Sequence, residues 1–270
     1  MSTPNILTKI LATKRDEVAA ARDLVPLSDL EAMARRAEAT RDFVGAIRAK
    51  HAGGKAAVIA EIKRGSPSAG TFRAEANDFD PARFAAAYAR HGAACLSVLT
   101  DRDYFFGSPE DLRLARAACE IPVLRKDFIV DPYQIVEARA MGADAVLFIM
   151  GCAPIEEFCE WEALAREYGL AVLAESHSAQ ELEQALRLRT PLIGINNRDL
   201  TRFVTDVGIT LSLKNRMPSD RILVTESGIV SKEIVSTMQK SGVNTYLVGG
   251  ALMSADDPGM ALADLFDPWI

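Results

Sequence analysis

The sequence predicts an α/β protein, a single (β/α)8 TIM barrel preceded by an N-terminal helical extension, and three observations carry that expectation. From residue 56 onward, eight short runs rich in leucine and β-branched residues alternate with longer helical patterns. Several of these runs are apolar on both sides, as parallel strands covered on both faces must be. No GxGxxG turn follows the first run, where an open dinucleotide-binding sheet would carry one. The length of 270 residues, 49% of them hydrophobic, suits one barrel of about 250 residues. One domain is expected over 1–270, with 1–50 as the extension and 56–266 as eight β/α units.

In chain order, the extension predicts two helices, over 6–21 and 27–47, because Ile6, Ile10 and Leu11, then Leu30, Met33 and Ala34, recur at helical spacing. Such a segment should cap one end of the barrel or border its site. The strands are expected at 56–63, 93–100, 122–128, 145–150, 171–176, 192–197, 221–227 and 245–250. Asp80-Pro81, Ser108-Pro109 and Asp131-Pro132 each join an N-cap side chain to a proline at the first helical position. Ser178 with Glu181 has the spacing of a capping box. Gly92, Gly142, Gly169 and Gly242 precede strands, where a left-handed helix end is wanted.

Charge narrows the partners. With 31 Lys and Arg against 37 Asp and Glu, a net charge of −6 and no basic block, neither nucleic acid nor an anionic membrane finds its electrostatic footprint. Met1 to Ala20 carries Lys9, Lys14, Arg15, Asp16 and Glu17, so no signal-peptide core is present and a cytoplasmic location is expected. The longest apolar run, Ala145 to Met150, falls far short of the roughly 20 residues that span a bilayer. Cys95, Cys119, Cys152 and Cys159 lack CxxC spacing and read as reduced, mostly buried packing residues.

In a barrel of this kind the reacting groups lie at the carboxyl ends of the strands. Alternation puts Glu61 and Lys63 on one face of the first strand, and Lys126 and Phe128 on one face of the third, with Arg125 and Asp127 opposite. Glu175 ends the fifth run, Asn196 and Arg198 the sixth, and Glu226 the seventh. One carboxylate at a strand end reads equally well as structural, but five ends bearing such groups favour catalysis. The small, polar Arg64–Gly70 loop suits a lid or phosphate contact, or a plain turn. Ser227-Gly228 and Gly249-Gly250 fall in the seventh and eighth loops, where barrels commonly seat phosphate on backbone N–H groups. Tyr104-Phe105-Phe106-Gly107 would form an aromatic wall or simply pack on the rim.

His51, His91 and His177 form no ligand cluster, and no P-loop or GxSxG elbow occurs, so neither metal nor organic cofactor is expected. What remains is lysine and carboxylate acid/base chemistry on a phosphate-anchored small molecule. Two other uses of the same residues stay open. Lys126 would form a Schiff base in a class I aldolase, and a non-catalytic phosphosugar-binding barrel would keep the pocket alone.

Taken together, Ala60-Glu61-Ile62-Lys63 with Gly65-Ser66-Pro67-Ser68, Ser97-Val98-Leu99-Thr100-Asp101, Leu124-Arg125-Lys126-Asp127-Phe128, Ile195-Asn196-Asn197-Arg198-Asp199-Leu200, Glu226-Ser227-Gly228-Ile229 and Leu247-Val248-Gly249 resemble the indole-3-glycerol phosphate synthase family of tryptophan biosynthesis. Order and spacing match from about residue 5 to 265. The resemblance implies a carbon–carbon lyase of the carboxy-lyase type. It would convert 1-(2-carboxyphenylamino)-1-deoxyribulose 5-phosphate to indole-3-glycerol phosphate with loss of carbon dioxide and water, without a cofactor, and leaves open association with other enzymes of the pathway.

By motif, the resemblance makes Lys126 the acid at the substrate carbonyl and Glu175 its acid/base counterpart in later steps. Glu61 and Lys63 would hold and help protonate the leaving hydroxyl, with the lysine that serves dehydration left open. Asn196, Arg198 and Glu226 would orient polar groups, and Phe105, Phe128 and Leu147 would wall the anthranilate ring. Ser66, Ser227, Gly228, Gly249 and Gly250 fall at phosphate positions, Gly250 standing where family members often have Ser or Glu. A lysine acid works best with its pKa lowered toward neutrality, and Lys63 is expected to lower that of Lys126.

Overall fold

The computed structural model describes residues 6–67, 70–72, 78–198 and 204–270. Ser68, Asp199 and Leu200, each part of a motif quoted above, lie outside them. Strand β1 (Ala57–Ile62) is followed by a two-residue pair, β2 (Gly65–Ser66) and β3 (Gly70–Thr71). Then come β4 (Cys95–Leu99), β5 (Val123–Lys126), β6 (Ala145–Ile149), β7 (Ala171–Ser176), β8 (Leu192–Asn196), β9 (Ile222–Glu226) and β10 (Thr245–Val248). All except β2 and β3 join in one closed parallel barrel in the order β1-β10-β9-β8-β7-β6-β5-β4, the TIM-barrel arrangement. The eight expected runs are these eight strands, trimmed at their ends. β2 and β3 form a small antiparallel ribbon where only a loop was expected, with Gly65 opposite Thr71.

Helices α4 (Pro81–Arg90) and α5 (Pro109–Ala117) start as the sequence predicts: Asp80 accepts from Arg83 N at 3.1 Å and Ser108 from Asp111 N at 3.1 Å. At α6 (Tyr133–Ala140) the proline falls one place earlier, at the cap itself, while the Asp131 carboxylate still accepts from Tyr133 N at 2.8 Å. Gly92, Gly142, Gly169 and Gly242 all have positive φ, between 72° and 94°. Helix ends there take the left-handed turn that side chains with a Cβ resist.

The extension departs from expectation. It forms three helices, α1 (Ile6–Leu24), α2 (Leu27–Arg36) and α3 (Phe43–Ala52), because the predicted second helix breaks between Arg36 and Phe43. The break is used for bonding to the amino-terminal side of the barrel. Arg41 donates to the carbonyls of Cys119, Ile121 and Arg116, and its N–H reaches Asp144 at 2.7 Å. Asp42 then caps α3 through Gly45 N at 2.7 Å. A continuous helix would leave Asp144 short of a donor at a site that is 1% exposed.

Strand burial is nearly complete, and Leu, Ile, Val and Ala from barrel and helices form one continuous core. Cys95 and Cys152 are buried, Cys119 and Cys159 only half-buried, and all four are free. No described helix is long and apolar enough to cross a membrane.

Candidate active site

One cavity of about 180 Å³ opens at the carboxyl ends of the strands. It is lined by Glu61 and Lys63, Lys126 and Phe128, Leu147, Glu175, Asn196 and Arg198, Glu226, Ser227 and Gly228, and Gly249 and Gly250. Ser66 and Phe105 complete the set that the sequence singled out: alternation brings the strand-end residues to one place, and the loops that follow the strands bring Ser66, Phe105 and the glycine-rich pairs. Ile6, Leu7 and Ile10 of α1 add apolar wall, which puts the extension beside the site.

The charges are arranged in two pairs. Lys63 Nζ lies 2.6 Å from Glu61 Oε2, and Lys126 Nζ lies 3.0 Å from Glu175 Oε2 and 3.9 Å from Glu226 Oε2. Glu175 Oε1 also accepts from Asn196 Nδ2 at 2.9 Å. Glycine makes the room: a methyl group at Gly249 would overlap Glu61 Oε2, and one at Gly194 would overlap Glu226 Oε1. The loop after β4 is built for display. Asp101 accepts from the N–H groups of Tyr104 and Phe105 at 2.8 and 3.1 Å, and Phe105 then meets Phe128 with ring centroids 6.0 Å apart. Tyr104 turns away, its hydroxyl 2.8 Å from Thr13 Oγ1.

Burial pulls against the charge on Lys126, but Glu175, Glu226 and Glu61 outweigh it and hold the ammonium above the ordinary lysine range. This corrects the expectation that Lys63 lowers it. The charges of three carboxyl groups act on Lys126, so the protonated form is stabilised. Burial also works against ionised Glu175, yet Lys126, His177 and Asn196 keep it well below the usual carboxylate range. Glu226 goes the other way: burial, then the charge of Glu175, push it well above. The site therefore holds a proton-bearing lysine beside two carboxyl groups whose proton affinities are driven in opposite directions.

Two participants escaped the sequence. His177, expected only to lie outside any metal cluster, has Nε2 3.2 Å from Glu175 Oε1 and Nδ1 3.2 Å from Glu181 Oε2. Its spacing of two from Glu175 was the available signal. Glu181 thereby departs from a capping box: its N–H binds Ser178 Oγ at 3.2 Å, but its carboxylate accepts from His177 N at 2.6 Å rather than from the cap. The other is Lys14 of α1, 3% exposed, whose Nζ lies 3.0 Å from Asp101 and 3.1 Å from Asp127. Among the described residues no group of three His, Cys, Asp or Glu side chains is placed to hold a metal ion.

Backbone conformation at the glycine-rich side is unusual. Ser227 has φ 63° and Gly228 φ 78°, both left-handed, and for a serine that conformation costs on the order of 1–3 kcal/mol. Gly249 precedes the short helix α11 (Gly250–Met253), and a methyl group added at Gly250 would meet nothing nearer than the Phe72 ring at 3.7 Å.

A closed (β/α)8 barrel with lysines and carboxyl groups gathered at the carboxyl ends of its strands is the arrangement of a barrel enzyme. The model of the family described as indole-3-glycerol phosphate synthase matches residues 7–265. The indole-3-glycerol phosphate synthases of Dechloromonas aromatica (strain RCB) and Burkholderia lata are 56% and 57% identical, each over 97% of this chain and 99% of its own length. The chain belongs to the indole-3-glycerol phosphate synthase family, carboxy-lyases of tryptophan biosynthesis.

Among solved structures, tryptophan synthase subunit alpha from Legionella pneumophila str. Paris aligns with TM-score 0.59 at 16% identity, covering 84% of this chain and 96% of that one. A mutant tryptophan synthase alpha-subunit from Pyrococcus furiosus aligns with TM-score 0.57 at 15% identity, covering 77% and 96%. At these identities the likeness is one of fold.

Proposed function

We propose that the cavity closes the pyrrole ring of 1-(2-carboxyphenylamino)-1-deoxyribulose 5-phosphate, with Lys126 as the acid. The ring carbon bearing the carboxylate attacks the ketone carbon, and the electron pair of the C=O bond moves to oxygen. Lys126 gives that oxygen a proton as charge develops there; a single well-placed donor of this kind is worth about 10²–10³ in kcat. Loss of carbon dioxide returns the C–C bond electrons to the ring and restores aromaticity. The new hydroxyl then leaves as water, protonated from the Lys63–Glu61 pair or from Lys126 once solvent has returned its proton, while Glu175 takes the proton from the adjacent carbon.

The observation that carries this is the 3.0 Å contact of Lys126 with Glu175 inside a lining of Phe105, Phe128 and Leu147. An acid and a base lie within reach of one flat apolar slot. Asn196, Arg198 and Glu226 orient the polar chain of the substrate. Ser66, Ser227, Gly228, Gly249 and Gly250 take its phosphate; Gly250, without a side-chain donor, contributes its N–H only. Residues 1–270 act as one unit in the cytoplasm, where other tryptophan-pathway enzymes are potential associates, and neither nucleic acid nor membrane is a partner.

The test is an absorbance assay with the anthranilate-derived substrate. Appearance of the indole chromophore is expected; binding without that change would defeat the proposal. Borohydride in the same mixture should trap no adduct on Lys126, whereas a trapped adduct would move the chemistry to a Schiff base.

A further inference from the structure

Lys126 is shared by two carboxyl groups, Glu175 on β7 and Glu226 on β9, and two such groups beside one cation rarely ionise alike. Something must decide which keeps the proton. His177 touches only one of them. It sits in the turn between β7 and α8 (Ala179–Ala185), outside the cavity lining, with Nε2 3.2 Å from Glu175 Oε1. Its far nitrogen meets Glu181 of α8 at 3.2 Å, and the same carboxylate accepts its backbone N–H at 2.6 Å. The ring is therefore hydrogen-bonded on the Glu181 side only, and α8 holds its Nε2 in ion-pair contact with Glu175 Oε1 without a hydrogen bond between them.

We propose that His177 is a positioning residue for the reaction: by fixing Oε1 of Glu175 from behind the cavity wall, it makes Glu175, and not Glu226, the base beside Lys126. This rests on Glu175 being the acid/base group of the site. Asn196 occupies the same oxygen from β8, so Oε2 alone is left for Lys126. Among the described residues no His or Asn side chain is bonded to the carboxyl group of Glu226, whose Oε1 lies against Gly194 with no hydrogen-bond partner, while Oε2 lies 3.9 Å from Lys126 Nζ. A cation on one member of a carboxyl pair favours ionisation of that member and leaves the shared proton on the other.

The other groups in this neighbourhood reinforce the asymmetry. Glu61 acts on Lys126 and Glu226 from β1. Cys152, after β6, feels both Glu175 and Glu181, and burial followed by those charges pushes its thiol up to about 12, with Arg15 of α1 as the opposing cation. It adds no competing charge at neutral pH. Burial opposes the charge on His177, but Glu175 and Glu181 push it up to about 10, so the ring is an imidazolium across the physiological range.

The experiment compares pH profiles of kcat and KM for the whole chain and for His177→Asn, using the absorbance assay. The acid limb of kcat is expected to move to higher pH, because Glu175 then competes with Glu226 for the proton. At neutral pH kcat should fall about ten- to a hundredfold, with little change in KM. His177→Lys, which returns a cation, should bring the limb back toward its original place. An unmoved acid limb in His177→Asn, whatever the level of kcat, overturns the inference. Should that variant fail to fold, Glu181→Gln keeps the acceptor but removes the charge that holds the imidazolium, and the same displacement or its absence decides. Glu175→Gln separates the two levels. Wild-type turnover there would sink the acid/base reading itself, while lost turnover there with a wild-type limb in His177→Asn removes only the role of His177.

Discussion

Strand β5 divides two clusters made from the same residue types. On its outer face Lys14 and Arg125 meet Asp101 and Asp127; on its inner face Lys126 meets Glu175 and Glu226. In the outer cluster every carboxylate oxygen has a hydrogen bond or a cation, Asp101 Oδ2 having only the ion-pair contact with Lys14 Nζ at 3.0 Å. Asp127 receives Thr100 Oγ1 at 2.6 Å, Phe128 N at 2.8 Å and Arg125 at 3.0 Å besides Lys14, and Asp101 receives two backbone N–H groups. Burial works against its ionised form, but Arg125 and Lys14 hold Asp127 below the usual carboxylate range. The inner cluster is left unfinished: one carboxyl group is pushed well above the usual carboxylate range and one of its oxygens has no hydrogen-bond partner. Completed networks give rigidity, and incomplete ones leave protons and lone pairs for a substrate.

Substitutions that trade one cluster against the other probe this difference. Lys14→Met should have the largest effect, a loss of about 3–5 kcal/mol in denaturant unfolding, because buried Asp101 loses its cation and Asp127 keeps only Arg125. Turnover per folded molecule should fall far less. Equal losses in both quantities would erase the distinction. Lys126→Ala should do the reverse, cutting turnover about a hundredfold or more while ligand binding and the melting temperature move little. Near-normal turnover would refute its role as the acid.

Gly194→Ala sharpens the inner cluster further. Its methyl would overlap Glu226 Oε1, so a loss of about 1–3 kcal/mol and a drop in kcat are expected from unfolding curves and assay together. Glu226→Gln is the mildest, with turnover at pH 7 within about tenfold, since the amide copies a protonated acid. Its signature is the pH dependence of stability. A carboxyl group raised in the folded state stabilises below its ordinary 4.5 and loses that contribution as pH rises toward its folded value. Glu226→Gln should therefore flatten the decline of stability above pH 4.5, and an unchanged slope would show Glu226 to be ionised.

Most of the inner cluster was legible in the sequence because strand period and strand ends are local properties. Knowing that Glu61, Lys63, Lys126 and Phe128 fall at alternate positions near strand ends was enough to bring them to one mouth. Of the outer cluster only Arg125 beside Asp127 was legible, since Lys14 is 113 positions from Asp127 and looks like any solvated helix charge. The break between α2 and α3 was hidden for the same reason: Arg41 serves carbonyls around residues 116–121 that helical periodicity cannot see. Electrostatics failed in sign as well. The presence of Lys63 suggested a lowered Lys126, whereas the charges of Glu175, Glu226 and Glu61 outweigh burial and raise it.

The roof of the cavity belongs to a helix that contributes no strand. Ile6, Leu7 and Ile10 line the chamber while Lys14, a turn further along α1, is fastened to the barrel. Hydration of the chemistry and rigidity of the scaffold are thereby assigned to separate pieces of chain. Sequence change along one face of α1 can retune how dry the chamber is, and so how strongly its charges act, with every rung of the barrel left as it stands.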